Sequence, residues 1–182
     1  MYSLRRISIS NWYLIDAQDI EIRGEAALIG PTGAGKSSIQ DAIQTVITGG
    51  NHNRLNLNAS ASGRSSRSVL EYCLGMTGDP AQDGRPLRKS CESILALTFV
   101  HEYTGVALSV GVAFAARHGD SREEVLSRFI IPGHDFSIAA LRREEDGVST
   151  IAPFTEVAAE LRKAHPDMAE YKSSAERFTA DM

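Results

Sequence analysis

Gly30-Pro31-Thr32-Gly33-Ala34-Gly35-Lys36-Ser37 spells a complete G-x-x-x-x-G-K-S pattern. Its residue types suit the binding of phosphate. Glycines at 30, 33 and 35 admit positive φ angles and let a ligand approach the main chain without meeting a Cβ. Successive N–H groups can then converge on an anion, joined by the positive end of a following helix. Lys36, the expected catalytic cation, reaches the β- and γ-phosphates as a mobile point charge. Ser37 offers a hydroxyl to a Mg²⁺ ion already carrying phosphates and waters, and Ser38 closes the set. The ligand class is a nucleoside triphosphate with Mg²⁺. No Asn/Thr-Lys-x-Asp pattern for reading guanine is present, so ATP is favoured.

The elements around the loop must hold it. Ala26-Ala27-Leu28-Ile29 is a short apolar run expected as a buried strand. After the loop, Ile39, Ala42, Ile43, Val46 and Ile47 recur at helical spacing, and Gly49-Gly50 marks the helix end. Strand, glycine loop and helix together make the motif a site. Upstream, Ile7 and Ile9 alternate with serines, and Ile20 and Ile22 with charged residues, as half-buried strands do. Asp16–Asp19 and Gly24-Glu25 are expected as turns. Trp12, between the strands, suits either a platform for a nucleotide base or core packing, which is the commoner use of an aromatic ring.

Residues 49–90 are rich in Asn, Ser and Gly, with six basic residues (Arg54, Arg64, Arg67, Arg85, Arg88, Lys89) against Glu71, Asp79 and Asp83. The segment is locally positive in a chain of net charge −4, and a loop this long is either functional or simply solvated. Within it, Val69–Leu74 reads as a short helix capped by Ser68. Ser93–Val100 and Val106–Phe114, joined by a Gly-containing turn, read as a hairpin, and Leu126–Ile131 as a third strand. Beyond Ser137 the chain turns helical and acidic. Thr155 is the expected cap of a helix carrying Val157, Ala158 and Leu161, stopped at His165-Pro166, and a second helical stretch is expected from about 167 to 182. The expected division is 1–152 for the phosphate-loop lobe, with its basic loop at 49–90, and 153–182 for a helical segment.

Composition bounds the rest. A chain of 182 residues with 42% hydrophobic and 23% charged residues suits one globular domain. No apolar run is long enough for a membrane helix and no signal-peptide core follows Arg5-Arg6, so a cytoplasmic location with no membrane partner is expected. Cys73 and Cys91 lack metal spacing and suit reduced structural thiols. Histidines 52, 101, 118, 134 and 165 are scattered and are expected as ordinary surface or loop residues.

A strand pair ending near Asn11 and an aromatic, an apolar run, the G-x-T-G-A-G-K-S-S loop and Asp41-Ala42-Ile43 on the next helix resemble the N-terminal head half of SMC-like ATPases, a family that includes SMC, RecF-type and MukB-type proteins. Asn56–Ser60 and Arg67–Gly75 look closer still to MukB-like condensins, above all the ATPase subunit of the Wadjet plasmid-defence system and its MksB relatives. The resemblance spans roughly residues 3–180. It implies an α/β fold of the ABC/SMC head type, a P-loop N-terminal lobe with a mixed sheet and an antiparallel β-meander. It also implies ATP hydrolysis shared with a C-terminal head half and with a second head in a homodimer. Kleisin-like subunits and double-stranded DNA are the implied partners, and Arg54, Arg64 and Arg67 are the choices for an arginine loop near nucleotide or DNA. In this class a Walker B strand supplies the carboxylates for hydrolysis. The local match, Leu97–Glu102, has His101 where Asp is needed, and no Leu-Ser-Gly-Gly-type signature occurs. The chain alone is therefore expected to bind ATP with little or no turnover, as half a head leading towards a coiled coil. The alternatives are a stand-alone nucleotide kinase, or a non-catalytic module that binds a partner when loaded.

Overall fold

The computed structural model describes residues 1–57, 67–78, 84–145 and 147–182, with Glu145 by its backbone only. Six strands form one sheet. β1 (Tyr2–Trp12) and β2 (Ile15–Glu21) make an antiparallel pair joined at Tyr13-Leu14. Asp16–Asp19, expected as a turn, therefore lies within β2. Helix α1 (Lys36–Ile47) follows the phosphate loop, and the short α2 (Val69–Leu74) precedes β3 (Ser90–His101), β4 (Ala107–Arg117) and β5 (Glu124–Pro132). A 3-10 turn (Ile138–Leu141) leads into a hairpin, β6 (Arg142–Glu145) and β7 (Val148–Ile151). Then come α3 (Phe154–Ala164), β8 (Ala169–Glu170) and α4 (Ala175–Asp181). The sheet order is β2-β1-β3-β4-β5-β8. Every pairing among these strands is antiparallel, in place of the expected mixed sheet.

The expected hairpin and third strand are present as β3, β4 and β5. They sit at the sheet centre because both faces are apolar. Leu95, Leu97, Val110, Val112, Phe114 and Ile130 face α1 and α2, together with Ile7 and Ile9. The alternate residues Ile94, Ala96, Ala113, Phe129 and Ile131 face the 3-10 turn and α3. This period-2 division builds three layers, with a helix-covered surface on each side of the sheet. At Gly111 an added Cβ would stand 2.3 Å from Phe129 Cζ, so glycine makes room for that ring across β4. The ring stacks on Phe154 of α3 at 5.8 Å.

Serines replace apolar residues on the second face of β1, and each has a partner. Ser8 Oγ donates to Asp19 (2.5 Å), and Ser10 Oγ accepts from the Ile94 amide. Asp19 also accepts from Ser137 Oγ (2.6 Å) and from the Ile138 and Ala139 amides (3.1 and 3.0 Å), so a β2 side chain caps the 3-10 turn. Burial pushes the Asp19 carboxyl up, but hydrogen bonds from Ser137, Ser8, Ala139 and Ile138 outweigh it and hold it below the usual aspartate range. With the folded value depressed, the stabilisation is complete above the ordinary aspartate pKa of about 3.9 and is lost as pH falls through the lower folded value. Urea unfolding between neutral pH and strong acid should therefore show a steeper acid decline for the wild type than for Asp19→Ala. Parallel profiles would show that Asp19 contributes nothing to acid lability.

The C-terminal part departs most from expectation. Pro153, not Thr155, is the N-cap of α3. Thr155 lies in the first turn, where its amide and hydroxyl both donate to Glu92 of β3 (2.9 and 2.7 Å). The carboxylate from the sheet supplies the capping acceptor that proline lacks. Val157 and Ala158 are buried as expected, and the helix stops before His165-Pro166. The expected helix over 167–182 is instead the edge strand β8 and the seven-residue α4, capped by Ser174. Phe178 of α4 is fully buried in the α1-side core. No helix among the described residues is long and apolar enough to cross a membrane.

Candidate nucleotide-binding site

The loop 30–35 rises over the N-terminus of α1. Gly33 and Gly35 both adopt φ +86°, the left-handed region closed to most side chains. Gly30 does not, contrary to expectation. There a Cβ would come within 3.2 Å of Ala34 Cβ, so glycine serves close packing of the loop ends. Lys36 Nζ donates to the carbonyls of Gly30 (2.7 Å) and Pro31 (2.8 Å), closing the loop into a ring. No side chain caps α1, whose N-cap is Gly35. The first-turn N–H groups therefore face the loop, where the positive end of the helix favours an anion.

These features fit a polyphosphate. The loop glycines admit its close approach, the uncapped first turn supplies donors, and Lys36 supplies a cation beside them. Lys36 and Ser37 are half-buried, whereas residues 30–34 are exposed. Ser37 would supply the hydroxyl ligand for Mg²⁺. Ser38 is buried and takes part through its carbonyl.

The expected strand before the loop is not formed. Ala26–Ile29 is irregular and exposed, with Leu28 39% and Ile29 91% accessible. A buried strand needs neighbours for its main-chain groups and cover for its faces. The six-stranded antiparallel sheet supplies neither to this run.

Behind the loop is an aromatic cluster. Trp12 is fully buried and stacked on Tyr72 (4.5 Å between centroids, 11° between planes), so it offers no face to a base. Its indole N–H donates to Ser38 O (2.9 Å). Tyr72 O–H donates to the Asp41 carboxylate on α1. The helix α2 carrying Tyr72 is held by the expected Ser68 cap. It is a full capping box, in which Glu71 Oε2 accepts from the Ser68 amide (2.6 Å). Sequence reasoning missed the Trp12–Tyr72–Asp41 connection. Its only signal was a charged residue, Asp41, beside the apolar stripe of α1, on a buried face shared with Ser38, Ala42, Thr45 and Val46.

The three arginine choices separate. The Arg67 guanidinium lies over the Tyr13 ring at 4.3 Å, on the rim of this cluster. Arg54 is exposed beyond the C-terminus of α1. Arg64 lies outside the described residues. Arg88, in the same basic segment, is a structural tether, donating to Tyr13 O (2.8 Å) and Asp16 (2.6 Å).

The Leu97–Glu102 match cannot serve this loop. Trp12, near Ser38, adjoins the Ile94 end of β3, since Ser10 pairs with Ile94. His101 and Glu102 lie at the other end, about 24 Å along the strand, where Glu102 accepts from Ser3 Oγ (2.6 Å). Three histidines are more engaged than expected. His52 Nε2 lies 2.8 Å from the buried Glu123 carboxylate, without hydrogen-bond alignment. His134 packs on His165 at 4.0 Å. Among the described residues no three or more His, Cys, Asp or Glu side chains are grouped to hold a metal. Burial pushes both cysteine thiols up, as inert structural thiols require.

The family model described as the P-loop containing region of AAA domain matches residues 4–64. No curated protein matches the chain significantly. The matched span includes β1, β2, the glycine loop and α1, and supports a P-loop NTPase N-terminus.

Proposed function

We propose that the chain is the ATP-binding N-terminal lobe of an SMC-like head, of the MukB or Wadjet type. In this reading ATP–Mg²⁺ acts mainly as an assembly ligand between two heads. The observation that carries nucleotide binding is the loop itself, closed by Lys36 on Gly30 and Pro31 above the uncapped start of α1. ATP supplies the phosphoryl bond whose hydrolysis would release the heads. Lys36, the loop amides and Ser37 bind and orient its phosphates.

Two further features favour a lobe completed by another segment over a self-sufficient kinase. Leu28 and Ile29 lie exposed immediately before the loop, where a neighbouring strand would cover them. The best local carboxylate strand ends about 24 Å of β3 away from the loop side. A C-terminal half would bring both a strand and the water-activating carboxylate. The exposed Arg54 suits a DNA-facing role, and a kleisin-like subunit would bind the assembled head.

Mg·ATP binding and turnover by the chain alone, with molecular mass measured in the same samples, test this reading. Binding without turnover is the expected result. Sustained turnover by a monomer would require a carboxylate within this chain and would remove the half-head assignment.

A further inference from the structure

Phosphate binding by main-chain amides demands placement of the first helical turn to a fraction of an ångström. The loop 30–34 is exposed and no side chain caps α1, so the placement must come from the buried side of the helix. Contacts from different elements reach the first turns there. Trp12 Nε1–H, on β1, holds the carbonyl of Ser38, the residue after Ser37. Tyr72 O–H, on α2, holds Asp41 one turn later. The stacked rings make the two contacts one unit, with Trp12 fully buried and Tyr72 1% exposed.

The unit is itself held against strain. Asn11 (φ 49°) and Tyr13 (φ 52°), on either side of Trp12, are the non-glycine residues at positive φ among the described residues. Such positions are strained and persist where their surroundings over-determine them. Asn11 Nδ2 donates to Glu92 O (2.8 Å), and the Tyr13 amide donates to Tyr72 O (2.6 Å). The strained turn thus aims the indole inward and ties its own end to the residue on which the indole stacks. Burial, followed by the Asp41 contact, pushes the Tyr72 phenol well above its usual range, which keeps it a donor.

We propose that Trp12 and Tyr72 are positioning residues of the phosphate loop, fixing the first two turns of α1 so that the Lys36–Ser38 amides meet phosphate. The proposal rests on the reading of Gly30–Ser37 as a nucleotide site. It also makes Trp12, the only tryptophan in the chain, sensitive to occupancy of that site.

Trp12→Phe and Tyr72→Phe in the whole 182-residue chain test it, with Mg·ATP and Mg·tripolyphosphate as probes in calorimetry. Each substitution keeps a ring and removes one hydrogen bond to α1. Each should weaken both probes by about tenfold, since small misplacements carry large penalties. Saturating Mg·ATP should also shift the indole emission of the wild type but not of Lys36→Ala. Wild-type affinities in folded variants of lower melting temperature would make the pair merely structural and overturn the proposal. Should the variants not fold, an unchanged wild-type emission at saturating Mg·ATP overturns it equally. A wild type that binds neither probe would instead defeat the nucleotide-site reading, and this proposal with it.

Discussion

Lys36→Ala is expected to weaken Mg·ATP binding by about 100-fold, equivalent to about 2.7 kcal/mol, while leaving the melting temperature almost unchanged. The two effects separate because of where the ammonium sits. In the free protein it makes two hydrogen bonds to carbonyls of the exposed loop residues Gly30 and Pro31. Such surface substitutions usually change stability by only about 0.5 kcal/mol. Towards a polyphosphate the same ammonium makes charge-assisted bonds, which are roughly twice as strong as neutral ones. Lys36→Arg should not restore binding, because a planar guanidinium cannot replace a compact ammonium between Gly30, Pro31 and the ligand. Calorimetric titration of both variants, with melting curves alongside, decides the matter. Unchanged affinity in Lys36→Ala would mean that the loop does not bind the nucleotide.

The second large effect is expected at the opposite end of α1. The buried Arg128 of β5 donates through Nε to Gly49 O (2.5 Å) and through Nη1 to Lys172 O (2.7 Å) and Tyr171 O (3.3 Å). Gly49 and Gly50, at φ 61° and 65°, return their amides to Val46 and Thr45 as a Schellman turn, leaving the Gly49 carbonyl for the guanidinium. α1 has no basic residue in its own last turn, and Arg128 supplies the cation from the sheet. Burial pushes its pKa down, with the Glu176 charge opposing. Arg128→Met would strand the buried Gly49 carbonyl and two part-buried ones and should cost about 3 kcal/mol, lowering the melting temperature by roughly 10 °C. Arg128→Lys should recover part of the loss. Nucleotide affinity should stay within about threefold of wild type, because roughly 18 Å of helix separates Arg128 from the phosphate loop. Urea unfolding measures the first effect and calorimetry the second. A stability change below about 1 kcal/mol would be below the usual cost of unsatisfied buried groups and would refute the capping role.

What the sequence made legible was local. The glycine loop, the α1 stop at Gly49-Gly50, the Ser68 cap and the central hairpin each follow from residues adjacent in the chain. What escaped it depends on distant partners. Ala26–Ile29 has strand composition, yet a strand forms only beside another. Thr155 has cap chemistry, but its hydroxyl goes to Glu92, 63 positions earlier. Ile47, at the end of the predicted apolar stripe, is 46% exposed, because eight residues at 3.6 per turn carry it off the face begun by Ile39. The site divides in the same way. Its ligand-facing half is a contiguous motif, whereas its supporting half joins Trp12, Asp41 and Tyr72 from three elements.

The central register carries a consequence for how this chain can change. Ile7 pairs with Leu97, so the sheet closes a loop of about 90 residues that contains the whole phosphate site and the basic segment. Closing a chain of that length costs entropy before its contacts reward it, so the β1–β3 ladder is expected to form late in folding. Once such a closure is made, lengthening it costs little, about 0.6 kcal/mol for each doubling. Added length on either side of α2 therefore carries little closure cost, whereas α2 itself must be kept, because Val69, Tyr72, Cys73 and Leu74 are buried in the core beneath the sheet.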